Sequence, residues 1–212
     1  GYTAPSANYT LSQPSGLTAN ISVASLTVVA STQSKTYGTS SPTSGTLNTN
    51  YTFSGLQGAD AVSGVTLGYS GTPAGNLSTA NVGSYTITPS ALTLSSGLLS
   101  NYTITYNTGT LTVNTAPLTI TGVTASNKVY DGTTTATLSG TAAYLGLQNS
   151  ETFSVTGTPS VSFATAAVGT GKAVTVTGYT APSANYTVAQ PTGLTANITA
   201  IAITVTATGP TK

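Results

Sequence analysis

Cysteine, histidine, arginine, methionine and tryptophan are all absent from these 212 residues. Without Cys there is no disulfide and no thiol nucleophile, and without Cys or His there is no usual site for zinc, copper or haem. Without His there is no Ser-His-Asp triad, and no side chain titrates near neutrality unaided. Charge is scarce as well. Lys35, Lys128, Lys172, Lys212, Asp60, Asp131 and Glu151 are the only charged side chains, 3% of the chain, where an ordinary soluble domain carries about 25%. Four scattered lysines cannot neutralise a run of phosphates, which excludes nucleic acid as a partner. The three carboxylates lie far apart in sequence, so they make neither a calcium loop nor an obvious acid–base pair. No apolar run approaches the roughly 18 residues of a membrane span. The expectation is no cofactor, no metal, no membrane insertion and no catalysis.

What remains is hydroxyl, glycine and aliphatic. Thr (47) and Ser (26) make up 73 of the 212 positions, Gly adds 23, and twelve Tyr are the main aromatics. Thr alternates with apolar residues in Leu26-Thr27-Val28, Tyr85-Thr86-Ile87-Thr88, Leu111-Thr112-Val113, Leu118-Thr119-Ile120-Thr121 and Val174-Thr175-Val176-Thr177. That is the period-two pattern of a half-buried strand, and β-branched Thr favours it. Gly, Pro, Asn and Ser interrupt these runs every eight to twelve residues, and nothing shows a helical period. The pattern predicts an all-β chain of β-sandwiches.

The chain also repeats itself. Residues 1–22 and 178–199 are identical at eighteen of twenty-two positions, at an offset of 177. Inside that period, Leu26–Thr39 resembles Leu118–Thr133, aligning Lys35 with Lys128 and Tyr37 with Tyr130. Asn101-Tyr102-Thr103 likewise answers Asn185-Tyr186-Thr187. Two related domain types therefore alternate. The expected units are 25–115 and 116–200, joined by the linker Thr115-Ala116-Pro117. Residues 1–24 would be the closing strands of a preceding second-type domain, and 201–212 the first strand of another first-type domain. With no initiator Met and no secretory signal, the chain reads as an interior piece of something longer.

The segment Lys128-Val129-Tyr130-Asp131-Gly132-Thr133, followed by Asn185-Tyr186-Thr187, resembles the YDG domain of large secreted bacterial proteins. Lys35-Thr36-Tyr37-Gly38, with Asn101-Tyr102-Thr103 and Gly109-Thr110-Leu111-Thr112-Val113, resembles its frequent neighbour, the MBG domain. The resemblance covers essentially the whole chain. It implies tandem immunoglobulin-like antiparallel β-sandwiches in an extended array, like the repeats of filamentous-haemagglutinin-type adhesins. It further implies a stalk or filament segment at the bacterial cell surface, whose partners are adjacent repeats, other copies of the chain, or a surface ligand at a distant tip. Two alternatives stand beside it: a self-assembling extracellular filament or biofilm matrix protein, and a carbohydrate-binding module.

Physical reasoning assigns structural roles to the motif residues Lys35, Tyr37, Gly38, Lys128, Tyr130, Asp131, Gly132, Tyr102 and Tyr186. Asp131-Gly132 is a turn dipeptide. The tyrosines are anchors, with ring inward and hydroxyl at the rim. Asn81-Val82-Gly83-Ser84-Tyr85 resembles the corner in which a Tyr hydroxyl fixes a loop. Asp131 and Glu151 are expected to be solvated. A sharper chemistry is a Lys–Asn isopeptide cross-link assisted by a buried acid, with Lys128, Glu151 and Asn185 or Asn197 in one unit and Lys35, Asp60 and Asn101 in the other. Its competitor is an edge-strand lysine that deters pairing. Seven Asn-x-Ser/Thr sequons occur, at Asn8, Asn20, Asn50, Asn76, Asn101, Asn185 and Asn197. Asn8, Asn50, Asn101 and Asn185 are the candidate glycosylation sites.

Overall fold

A computed structural model of the chain describes residues 1–209. Fourteen strands and one 3-10 turn (Leu99–Asn101) make up its regular structure. The first seven strands are β1 (Ala24–Ala30), β2 (Gln33–Thr36), β3 (Tyr51–Ser54), β4 (Ala61–Tyr69), β5 (Gly83–Ser96), β6 (Tyr102–Asn107) and β7 (Gly109–Asn114). They form a three-stranded sheet in the order β3-β1-β6 and a four-stranded sheet in the order β2-β7-β5-β4. The Thr/apolar alternation does what its period requires: in β1, Leu26, Val28 and Ala30 point inward and are buried. They meet Tyr51, Val65, Leu67, Ile87, Leu92, Tyr102 and Leu111 in a core drawn from both sheets. Each fully buried Leu or Ile there contributes about 1.5–3 kcal/mol over its exposed state.

The next seven are β8 (Ala116–Ala125), β9 (Lys128–Val129), β10 (Leu138–Leu145), β11 (Thr156–Phe163), β12 (Gly169–Thr180), β13 (Tyr186–Ala189) and β14 (Thr195–Thr199). Their sheets run β10-β8-β13 and β11-β12-β14-β9. Strand for strand this is the topology of the first seven. A second core gathers Ile120, Ala136, Phe163, Val174, Val176, Tyr179, Ala196 and Ile198. No strand pairing connects β1–β7 with β8–β14 among the described residues.

The structure departs from the expected antiparallel sheets. Four pairings are parallel: β1 with β6, β2 with β7, β8 with β13 and β9 with β14. Period-two alternation fixes which face of a strand is buried but carries no information about the direction of its neighbour. The expected three-residue linker also shrinks to Thr115 alone. Ala116 and Pro117 already belong to β8, opposite Tyr186 and Thr187. Pro117 is tolerated at the start of the strand, where its missing N–H leaves little of the ladder unpaired.

Residues 1–23 and 201–209 form no strand and are exposed almost throughout. Tyr2, Tyr9 and Leu17 are 73%, 67% and 82% exposed, whereas their repeat counterparts Tyr179 and Tyr186 are 8% and 4% exposed and Leu194 packs on the second core. The matching sequence at 178–199 forms strands because β13 and β14 there have β8, β12 and β9 to pair with. The end of the expected strand, residues 210–212 including Lys212, lies outside the described residues.

Candidate functional site: the joint between the two units

β2 and β7 end side by side, and the chain leaving β2 places Tyr37 at the tip of the first unit, its N–H donating to Asn114 O at 2.8 Å. Asn114 is the last residue of β7, and β8 opens two positions later. Tyr37 therefore stands where the second unit begins. Its ring is 4% exposed. It lies in an apolar cluster with Ala80, Val113, Ala116, Leu118 and Tyr186, which spans both units.

The second unit meets this tip with the loop after β10, Gly146-Leu147-Gln148-Asn149-Ser150-Glu151, and with Asn185-Tyr186 at the start of β13. Tyr186 Oη donates to Glu151 Oε2 at 2.6 Å and accepts from Gln148 N at 2.9 Å. Tyr37 Oη donates to the other oxygen, Glu151 Oε1. The two rings meet edge to face, 5.4 Å between centroids and 81° between planes. Asn185 completes the contact: its Oδ1 accepts from Val82 N at 2.9 Å, and its Nδ2 donates to Asn81 Oδ1 at 2.9 Å. Burial first, and the bond to Glu151 second, push the Tyr186 hydroxyl up to about 12. The same two causes, in the same order, raise Tyr37. Both groups thus stay protonated donors, as a shared carboxylate acceptor needs.

Gly38 makes the close approach possible. At φ +90° it occupies the left-handed region, and a Cβ there would sit 2.5 Å from Gln148 Cγ. The expected solvation of Glu151 is therefore corrected: the carboxylate is half-buried and held by two tyrosines. Asp131 does lie at the surface, but not unpaired. Lys128 Nζ reaches Asp131 Oδ1 at 2.7 Å, along with Thr133 O, Thr133 Oγ1 and Thr135 O. The bond from Lys128, then those from Thr133 N–H and hydroxyl, hold the Asp131 carboxyl down at about 2. Gly132, at φ +79°, closes that turn.

Lys35 is buried and donates to Thr39 O at 2.8 Å and to Leu77 O; burial lowers its pKa. Among the described residues, no hydrogen bond from Lys35 or Lys128 reaches an asparagine, Asp60 or Glu151. The isopeptide sets are not assembled: Glu151 and Asn185 serve the joint, and Asn197 Oδ1 accepts from Gly171 N. Lys128 instead clamps the loop that follows β9, and Lys35 ties the loop after β2 to the loop between β4 and β5. Of the sequons, Asn50 is buried, with Oδ1 accepting from Thr46 N and Nδ2 donating to Gln33, and both amide atoms of Asn185 are engaged. Asn8 and Asn101 are exposed. Tyr85 Oη donates to Asn81 O at 2.8 Å, which fixes the loop as its sequence suggested.

Tyr102 repeats the Tyr186 arrangement inside the first unit. Its hydroxyl donates to Asp60 Oδ2 at 2.7 Å and accepts from Gln57 N at 3.0 Å. Sequence reasoning missed the acidic partners of both tyrosines, although a signal was present: Gly55-Leu56-Gln57-Gly58-Ala59-Asp60 and Gly146-Leu147-Gln148-Asn149-Ser150-Glu151 share Gly-Leu-Gln and end in an acid at the same spacing.

No curated protein and no solved structure is similar enough to this chain to match it. Two family models do match, in tandem: the MBG domain (YGX type) over residues 26–112 and the YDG domain over residues 114–193. The chain carries an MBG domain followed directly by a YDG domain.

Proposed function

We propose that the chain is a structural segment of a bacterial extracellular adhesin, a length of stalk built from alternating MBG and YDG domains with boundaries near 25–115 and 116–200. The observation that carries the reading is the joint. Tyr37, Glu151, Tyr186 and Asn185 tie one domain tip to the next across a one-residue connection, which sets the direction of the chain from unit to unit. The presence of two domains consistent with extracellular repeat proteins supports the surface location. Scarce charge suits that role, because few groups respond to salt or to pH near neutrality. Its partners are adjacent repeats, with any ligand held at a distant tip, and it performs no catalysis. The test is the length of chains of one, two and three periods by electron microscopy. A stalk predicts monomeric rods that lengthen by a constant step per period. Compact particles, or association of single periods into filaments, would contradict it, the latter in favour of a self-assembling matrix protein.

A carbohydrate-binding module is the second reading. A cavity of about 560 Å³ in the YDG domain is lined partly by Tyr144, Phe153 and Tyr179, and aromatic faces with a few polar groups are what a small ligand requires. A glycan array probed with the full chain tests it, and uniform silence removes it.

A further inference from the structure

The joint has two halves, and each half occurs a second time in the chain. Its acceptor half is Glu151 with Asn185-Tyr186; the MBG domain carries the same half as Asp60 with Asn101-Tyr102. Its donor half is Tyr37, after β2, with Val82 ahead of β5; the YDG domain carries Tyr130 after β9 and Val168 ahead of β12. The backbones correspond: Tyr37 N and Tyr130 N each donate, at 2.8 Å, to the last residue of their domain's final strand, Asn114 O and Thr199 O. These second halves have no counterpart to meet here. Tyr130 is 41% and Val168 52% exposed. Asp60 and Asn101 line an open cavity of about 440 Å³.

The sequence supplies the missing geometry. Leu118, fully buried in β8, follows Asn114 by four positions. Leu26, its counterpart in β1, follows Ser22 by four, and Ser22 is the repeat equivalent of Thr199. A YDG domain is thus tied to a following MBG domain by a connection as long as the one in the observed joint. We propose that each YDG domain docks onto the MBG domain of the next period through Tyr130, whose hydroxyl donates to Asp60 beside Tyr102, while Val168 N–H donates to Asn101 Oδ1.

Size and charge agree with that contact. Asp131 stands where the observed joint has Gly38, and Gln57 stands where that joint has Gln148, the side chain a Cβ at Gly38 would meet, so the contact requires the Gln57 side chain to turn aside into a roomier loop. The facing loop has Gly58 and Ala59 where the YDG loop has Asn149 and Ser150, and there is open space around Gly58. The Asp131 charge is balanced by Lys128 at 2.7 Å, so it sets no bare carboxylate against Asp60. One bond of the observed joint is not repeated, because Ala167 replaces Asn81. This inference rests on the tandem-repeat part of the proposed function and not on the adhesin role.

The experiment compares the 212-residue chain with the same chain extended after Ala200 by a second copy of residues 24–212. Each is treated with tetranitromethane, and nitration is read at Tyr130 by fragment mass spectrometry, with buried Tyr37 as internal reference. Tyr130 of the single chain should be nitrated freely. The extended chain holds two copies of Tyr130, of which the first should be protected, so the nitrated fraction should fall about two-fold. Asp60→Asn in the second copy should restore full nitration, and Asp60→Glu, the acid present at position 151, should keep the protection. Equal nitration of both copies in the unsubstituted extended chain overturns the proposal without a variant, and so does protection that survives Asp60→Asn. Either result leaves rod length per period, the test of the stalk reading, unaffected.

Discussion

Tyr37 and Tyr186 come from different domains, meet edge to face, and donate to the two oxygens of a single carboxylate, that of Glu151. One acid thereby fixes the relative position of two rings that also bury the apolar side chains of the joint. A charged acceptor strengthens both bonds, and its half-burial reduces competition from water.

Replacing Glu151 with Gln keeps the size of the side chain but removes the charge and one acceptor oxygen. The expected loss is about 1.5–3 kcal/mol, the range for hydrogen bonds to a charged group. Urea unfolding of the full chain should show it, and the transitions of the two domains should separate.

The tyrosines set the alkaline limit. Their folded-state pKa values are raised, Tyr186 to about 12, so the stabilisation is fully present below the ordinary tyrosine value near 10 and is lost as pH rises from there through about 12. Asp131 sets an acid limit of the opposite sign. Its pKa is depressed to about 2, so its contribution is present above about 4 and is lost as pH falls through 2. Tyrosinate absorbance and circular dichroism followed together should place the alkaline loss between pH 10 and 12, with Tyr37→Phe and Tyr186→Phe shrinking that step.

Gly38 and Gly132 share a left-handed backbone but differ in surroundings. Around Gly132 a Cβ meets nothing within 4 Å, whereas at Gly38 it meets the Gln148 side chain. Gly132→Ala should therefore cost only the backbone strain, about 1–2 kcal/mol, and leave the joint intact. Gly38→Ala should cost more and separate the domains, as two thermal transitions would reveal.

Tyr85→Phe removes the bond to Asn81 O and should destabilise the MBG domain by about 1 kcal/mol. Because Asn81 also receives a bond from Asn185, amide exchange at Val82 should quicken in the same variant.

Much of this was legible in the sequence. Leu26, Val28, Leu111 and Leu118 declare the buried faces through their spacing, and the 177-residue repeat declares tandem domains; of the tyrosines read as anchors, Tyr37, Tyr102 and Tyr186 are buried with their hydroxyls on acids, whereas Tyr130 is 41% exposed. The parallel pairing of β1 with β6 was hidden, since alternation has no direction. Glu151 was missed because its partners lie 114 and 35 residues away, and the Gly-Leu-Gln spacing it shares with Asp60 shows only when the two loops are set side by side. Lys35 and Lys128 suggested cross-linking only because their loop-clamping carbonyl partners, Leu77 O and Thr135 O, are backbone atoms that no motif records.

The central claim is that Tyr37 and Glu151 couple the two domains, and a double-mutant cycle on the full chain measures that coupling directly. Tyr37→Phe, Glu151→Gln and the double variant are compared with the parent by urea unfolding. The account predicts a coupling energy of about 1–2 kcal/mol, as expected for residues sharing a charge-assisted bond. Losses that add to within about 0.3 kcal/mol would mean the two side chains act independently, and would contradict a joint built on their contact.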